Sequence, residues 1–73
     1  MMRAALLVWL ILAPGVLQIE GTSVQVRHIP REPHYVVIWQ RGRTSYGLFD
    51  SLPAAQQRAE QVQRDLVKMG ETP

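Results

Sequence analysis

An uncharged apolar run near the N-terminus constrains this chain more than any other feature. Residues 4–13 (AALLVWLILA) contain no polar side chain, and Pro14 and Gly15 follow immediately. Arg3 and the terminal amine place positive charge before the run. Positive charge, a ten-residue apolar run and a helix-breaking end form the layout of a secretory signal peptide. The run is shorter than the ~20 residues that a transmembrane helix needs. We therefore predict an N-terminal hydrophobic targeting helix, a signal peptide or signal-anchor, over residues 1–21.

The processing of this segment leaves several alternatives open. Signal peptidase prefers small residues at the last and third-last positions, which Ala13 and Gly15 supply better than the segment that ends at Gly21. An uncleaved segment would be a signal-anchor, with Arg3 inside and the C-terminus outside. A third alternative is a buried core helix or strand of a cytosolic domain, although core segments rarely lack polar residues over such a length. We predict an exported protein, which is periplasmic or extracellular if cleaved and inner-membrane-anchored if not.

The composition excludes several kinds of chemistry. The chain has 73 residues, a net charge of +2 and no cysteine, which excludes disulfides, thiolate zinc sites and a lipidated cysteine. We find no catalytic motif and no glycine-rich phosphate loop, and a domain of this size has little room for a concave pocket. His28 and His34 flank a proline-containing loop at a spacing that matches no established metal geometry. We predict that the protein is not an enzyme and holds no cofactor or metal.

The C-terminal half shows the clearest secondary-structure pattern. Ser51 is a good N-cap residue, Lys68 would lie in the last turn, and Gly70 suits the position after the helix. The opposite face of the segment is polar throughout. Apolar residues recur at spacings of three and four, which predicts one amphipathic helix with the stripe Leu52, Ala55, Ala59, Val62, Leu66 and Met69.

Strand patterns precede this helix. Residues 35–39 are dense in β-branched and aromatic side chains, residues 40–43 have turn chemistry, and residues 44–49 return, which predicts a hairpin. Residues 23–27 alternate and predict a further strand. The expected fold is α+β, with a small antiparallel sheet of two or three strands in β-β-β-α order. We assign residues 22–70 to this domain and residues 71–73 to a disordered tail.

The predicted second strand is apolar on both faces, so one helix cannot cover all of it. Either Val36 and Ile38 face the helix, or Tyr35, Val37 and Trp39 do, and the turn length that sets the register is not decided. In both cases an apolar strip stays uncovered, which would mark a partner, a dimer or a membrane surface.

Aromatic and basic side chains surround the predicted turn. Trp39, Arg41, Arg43 and Tyr46, together with Tyr35, are our candidate binding residues. One interpretation is a surface that contacts phosphates through arginines and stacks bases on rings. The other is a solvated turn beside one core tryptophan.

Residues 34–66 resemble the hairpin-then-helix pattern of AP2-like and integrase arm-binding domains. The matching pieces are an aromatic strand beginning at Tyr35, a turn with Gly42, the segment from Tyr46 to Asp50, and Ala55 with Ala59 on the helix. The adjacency of Tyr46 and Gly47 departs slightly from the commonest forms. In that family the sheet enters the DNA major groove, so the resemblance implies DNA contacts for Trp39, Arg41 and Arg43.

These observations support several functional hypotheses. The leading one is a small exported or membrane-tethered accessory protein that binds another envelope protein through its sheet face or edge, by analogy with phage- or plasmid-encoded envelope modulators. A homodimer through the same face or edge is an alternative partner. The competing hypotheses are a nucleic-acid-binding hairpin–helix module and a small single-pass membrane subunit.

Overall fold

The computed structural model describes residues 7–73, which form one antiparallel sheet with a helix packed on one face. The five strands lie in the sheet in the order in which they occur in the chain. Each strand therefore pairs with its neighbours in sequence, as in a meander. The elements are β1 (Trp9–Ala13), β2 (Val16–Ile19), β3 (Val24–His28), β4 (Tyr35–Trp39), β5 (Thr44–Phe49) and α1 (Leu52–Lys68).

The predicted N-terminal helix is wrong for the described residues, because the apolar run forms β1 and continues into β2. A continuous apolar run does not distinguish a buried helix from a strand, and its length favoured the helix. Pro14 and Gly15, which we took for the end of a helix, form the hairpin turn instead, and Gly15 has a φ of 75°. Within residues 7–73, no helix combines the length and apolar character needed to cross a membrane.

The predicted number of strands is also wrong, since the sheet has five strands rather than two or three. The two additional strands are β1 and β2, and the pairing of β2 with β3 crosses the boundary that we placed between residues 21 and 22. The physical reason is burial. Ile19 at the end of β2 is only 1% exposed and belongs to the same core cluster as β3 and α1.

The core lies between α1 and the face of the sheet that α1 covers. Val24 and Val26 on β3 and Val37 on β4 lie on this face, as the pairing of Val26 with Val37 requires. This register therefore directs Tyr35, Val37 and Trp39 to the helix and leaves Val36 and Ile38 on the opposite face. The helix supplies the small and medium side chains of its stripe, namely Ala55, Ala59, Val62 and Leu66.

The ends of α1 follow the sequence pattern with one exception. The Ser51 Oγ accepts a hydrogen bond from the Ala54 N–H at 3.3 Å, as an N-cap does. Met69, which we placed on the apolar stripe, is the C-cap residue and is 69% exposed. The stripe therefore ends at Leu66, because the chain leaves the helix before Met69 reaches the sheet.

Candidate functional site

The structure separates the predicted aromatic and basic residues into two locations. Trp39 lies on the helix side of the sheet, where its Nε1 donates to the Pro73 carbonyl at 3.1 Å. Gly42 lies so close to the indole ring that an added Cβ would overlap it. Arg41 and Arg43 are exposed in the adjoining turn. Trp39 is thus a half-buried residue packed against its own turn and the chain end.

The two tyrosines of the predicted site lie in different surroundings. Tyr46 lines the same shallow groove as Trp39, beside α1, and the guanidinium of Arg58 lies 5.7 Å from the centre of its ring. Tyr35 begins β4, at the opposite end of that strand from Trp39, and its ring lies 5.0 Å from the ring of His28. The structure therefore groups Trp39, Tyr46 and the basic turn but not Tyr35.

The two histidines are engaged separately. His28 contacts Tyr35, whereas the Nε2 of His34 lies 3.5 Å from Asp50 and its Nδ1 lies 3.8 Å from Glu32. Over residues 7–73, no group of three or more histidine, cysteine, aspartate or glutamate side chains could hold a metal ion.

The face of the sheet opposite α1 carries a polar network at its centre. The Gln25 Oε1 accepts hydrogen bonds from the Arg27 Nε and the Gln40 Nε2, each at 2.9 Å. The Gln25 Nε2 donates to the Gln18 Oε1 at 2.7 Å. Gln25 is only 7% exposed because these side chains lie across it. The apolar side chains of this face, such as Ile38, are therefore interrupted by polar groups that satisfy one another.

Exposed apolar side chains concentrate instead at β1, which is one edge of the sheet. Four large hydrophobic residues of this segment are exposed: Val8 (54%), Leu10 (38%), Ile11 (78%) and Leu12 (52%). No charged residue occurs between Arg3 and Glu20. An exposed, uncharged and apolar edge strand can act as a template for pairing with another strand.

In the part of the chain that the structure describes, the backbone of β1 has hydrogen-bonding groups along this edge that do not bond to the sheet. The Glu20 N–H donates to the Val8 carbonyl at 2.8 Å, so Val8 directs its groups toward β2. The His28 N–H donates to the Gly15 carbonyl, which places the groups of Gly15, and by alternation those of Leu17, toward β3. Ile11 lies opposite Leu17. Because an antiparallel ladder alternates, Trp9 and Ile11 direct both their N–H and C=O groups away from the sheet.

An apolar groove of about 330 Å³ adjoins this edge on the helix side of the sheet. Its floor includes Leu17 and Val26, and Ile11, Tyr35 and Leu52 line its sides. The groove exists because α1 packs mainly on β3, β4 and β5, and so leaves the β1–β2 hairpin largely uncovered. Trp9 of β1 lies beside the first turns of α1, and its Nε1 donates a hydrogen bond to the Glu60 Oε2 at 3.1 Å.

The predicted targeting residues lie at the ends and turns of the same hairpin. Ala13 ends β1, Gly15 lies in the β1–β2 turn, and Gly21 lies in the β2–β3 turn. Arg3 lies outside the described residues. Cleavage after Gly15 would remove β1, and cleavage after Gly21 would also remove β2 with Ile19.

Sequence reasoning missed the β1 edge because we interpreted its residues as a targeting helix. The available signal was two β-branched and apolar segments on either side of Pro14–Gly15, which is the pattern of a hairpin. Comparisons with protein-family models, curated proteins and solved structures gave no match to this chain.

Proposed function

We propose that this chain is a small protein–protein binding module that adds a strand of its partner to the β1 edge. The observation that supports this proposal is the exposed apolar segment around Ile11, which is 78% exposed. In strand addition, main-chain hydrogen bonds give affinity and alternate side chains give specificity. Trp9 and Ile11 offer the main-chain groups, and Leu10 and Ile11 offer apolar side chains on the two faces.

The edge is a better binding surface than the open face of the sheet. On the open face, Gln18, Gln25 and Arg27 bond to one another, so a partner would have to cover or break a satisfied network. At the edge, the outward backbone groups of Trp9 and Ile11 have no partner among residues 7–73. Covering β1 also removes apolar surface from water at roughly 25 cal/mol per Å².

A photocrosslinking residue placed at position 11 tests this proposal in cells. We expect Ile11 to give a discrete crosslinked product, and the same probe at Leu48 to give none. Leu48 is a matched control, because it is also an exposed apolar residue (59%) on an edge strand. Absence of a product at position 11, or equal products at both positions, would contradict the proposal.

We also propose that the protein acts in the cell envelope, and this location bears on whether the N-terminal segment is cleaved. If the protein is exported, the binding edge exists only while residues 9–13 remain attached. Intact-mass measurement on material from the native host, after fractionation with a C-terminal epitope, tests both points. We expect the full-length mass in the envelope fraction. A mass that corresponds to cleavage after Gly15 would eliminate the β1 edge as the binding surface.

Nucleic-acid binding is the second candidate function, because Arg41 and Arg43 are both exposed in one turn beside Trp39. Phosphate contacts release counterions, so this function requires DNA affinity that falls steeply with salt. It also requires that Arg41→Ala with Arg43→Ala abolish the binding, measured by fluorescence anisotropy. Binding that ignores both substitutions would eliminate this candidate.

A further inference from the structure

We infer that the strand that β1 accepts is the β1 of a second copy, so that two chains form one continuous antiparallel sheet. This inference rests on the proposed function, since it names the partner for the same edge. It places a twofold axis at Leu10, perpendicular to the sheet.

A second copy of β1 complements the chemical character of the β1 edge. β1 is apolar on both of its faces and carries no charge, so the strand that best complements its free edge is also uncharged and apolar on both faces. Within the described part of the chain, β2, β3 and β5 all carry polar side chains, such as Gln18. β4 is apolar but is paired on both sides. β1 is therefore the available strand that is both uncharged and apolar on both faces. Pairing of β1 with itself brings no like charges together.

The outward backbone groups of β1 also fit a second copy in a single register. The pairing of β1 with β2 is regular from Trp9 to Ile11 and shifts between Ile11 and Ala13. The outward groups of the regular part are those of Trp9 and Ile11. An antiparallel pairing that uses both residues of both copies places Trp9 opposite the partner's Ile11. Leu10 then lies opposite the partner's Leu10, in a pair without hydrogen bonds.

Two copies can also pair along β1 without a steric clash between their helices. A twofold axis perpendicular to the sheet places both helices on the same face of the joined sheet. The helices do not meet over the joint, because each packs mainly on β3, β4 and β5 of its own chain. The exposed Ile11 side chains then lie on the helix side of the joint, and each apolar groove extends toward the other. Residues 7–73 contribute eight hydrophobic residues to the buried core, which is small, and association is a common source of stability for domains of this size.

The experiment measures the oligomeric state of the full chain by light scattering and analytical ultracentrifugation over a range of concentrations. We expect the native chain to be a dimer and Ile11→Lys to be a monomer. Leu48→Lys is the matched control and should stay dimeric. Circular dichroism on each variant shows whether the strands and helix persist.

A native chain that stays monomeric while position 11 still crosslinks to another protein would overturn the inference and leave the proposed function standing. A dimer that Ile11→Lys does not dissociate would overturn it as well.

A second set of variants tests the register and does not depend on loss of binding. The chain has no cysteine, so Leu10→Cys introduces a single thiol. Facing residues of an antiparallel pair without hydrogen bonds have Cα atoms about 4.5 Å apart, which is within the range of a disulfide. Under mild copper-phenanthroline oxidation, two Leu10→Cys chains should form a disulfide-linked dimer. Ile11→Cys should link more slowly, and Leu48→Cys should form no disulfide-linked dimer. Faster linkage at position 11, or equal linkage at position 48, would overturn the proposed pairing.

Discussion

The two edges of this sheet are built differently. β1 is apolar in every residue and is regular from Trp9 to Ile11. β5 contains Thr44 and Ser45, and its pairing with β4 shifts in the middle of the strand, where Gly47 has a φ of 92°. Bulges and polar residues are devices that keep an edge strand from pairing with other chains. Because β1 also shifts register, between Ile11 and Ala13, the main difference between the edges is that β5 carries polar residues and a mid-strand glycine whereas β1 is wholly apolar.

Both edges are nevertheless fastened to the same helix, from opposite sides. Trp9 of β1 donates a hydrogen bond to Glu60, and Tyr46 of β5 lies under the guanidinium of Arg58. Trp9 of β1 packs against the buried core, as Tyr46 and Phe49 of β5 do. β1 therefore has one such side chain where β5 has two, and Ile19 of its neighbouring strand adds a further link to the core.

The largest expected effect comes from Ile19→Ala, which would remove the side chain that joins the β1–β2 hairpin to the core. Ile19 is 1% exposed, so we expect a loss of about 2–5 kcal/mol in the free energy of unfolding, measured by urea denaturation. Leu48→Ala on the β5 side is the control. Because Leu48 is 59% exposed, its truncation should change stability by less than about 0.5 kcal/mol. Similar losses for the two variants would show that the hairpin is not an integral part of the fold.

A smaller effect is expected from Gly47→Ala, which tests the bulge that protects β5. An added Cβ would meet no atom within 4 Å, so the cost comes only from the backbone, whose φ is 92°. We expect a loss of about 1–2 kcal/mol, because L-residues disfavour positive φ. Ser45→Ala on the same strand is the control and should be close to neutral. If thermal unfolding shows no difference between the two variants, positive φ at Gly47 does not constrain this edge.

Glu60→Ala would remove the hydrogen-bond acceptor of the Trp9 indole. We expect it to cost about 0.5–1.5 kcal/mol and to accelerate hydrogen exchange of the Trp9 indole N–H, observed by NMR. Glu60→Gln keeps an oxygen acceptor and should retain most of the protection. An unchanged exchange rate in Glu60→Ala would mean that β1 is held without this bond.

The smallest effect is expected from Arg58→Ala, the corresponding change on the β5 side. The guanidinium of Arg58 lies 5.7 Å from the Tyr46 ring at an exposed position, so its loss should cost about 0.5–1 kcal/mol at most. Arg58→Lys preserves the charge and serves as the control. If Arg58→Ala lowers stability more than Glu60→Ala in the same thermal unfolding assay, the Arg58–Tyr46 contact is stronger than the Trp9–Glu60 hydrogen bond, which would reverse our ranking.

Part of the fold followed from sequence patterns because those patterns are local. The helix was predictable from the spacing of Ala55, Ala59 and Val62 and from Ser51 at its start. Strands β3 to β5 were predictable from alternation and turn chemistry. The candidate site at β1 was not predictable from the sequence. The aromatic and basic residues that form a recognisable pattern lie around the β4–β5 turn instead. The β1 edge has no motif, and its exposure depends on how far α1 extends across the sheet.

By itself the sequence determined the amphipathic helix, the hairpin that precedes it and the absence of charge between Arg3 and Glu20. Only the tertiary structure decided what the uncharged segment becomes. An apolar run of this length is compatible with a helix in a membrane and with two strands in a sheet, and local propensity does not separate them. The separation comes from long-range pairing. β3 has an edge that β2 pairs with, and Ile19 fills a space between the sheet and the helix. These contacts leave Ile11 at the exposed edge, because α1 does not extend far enough across the sheet to cover β1.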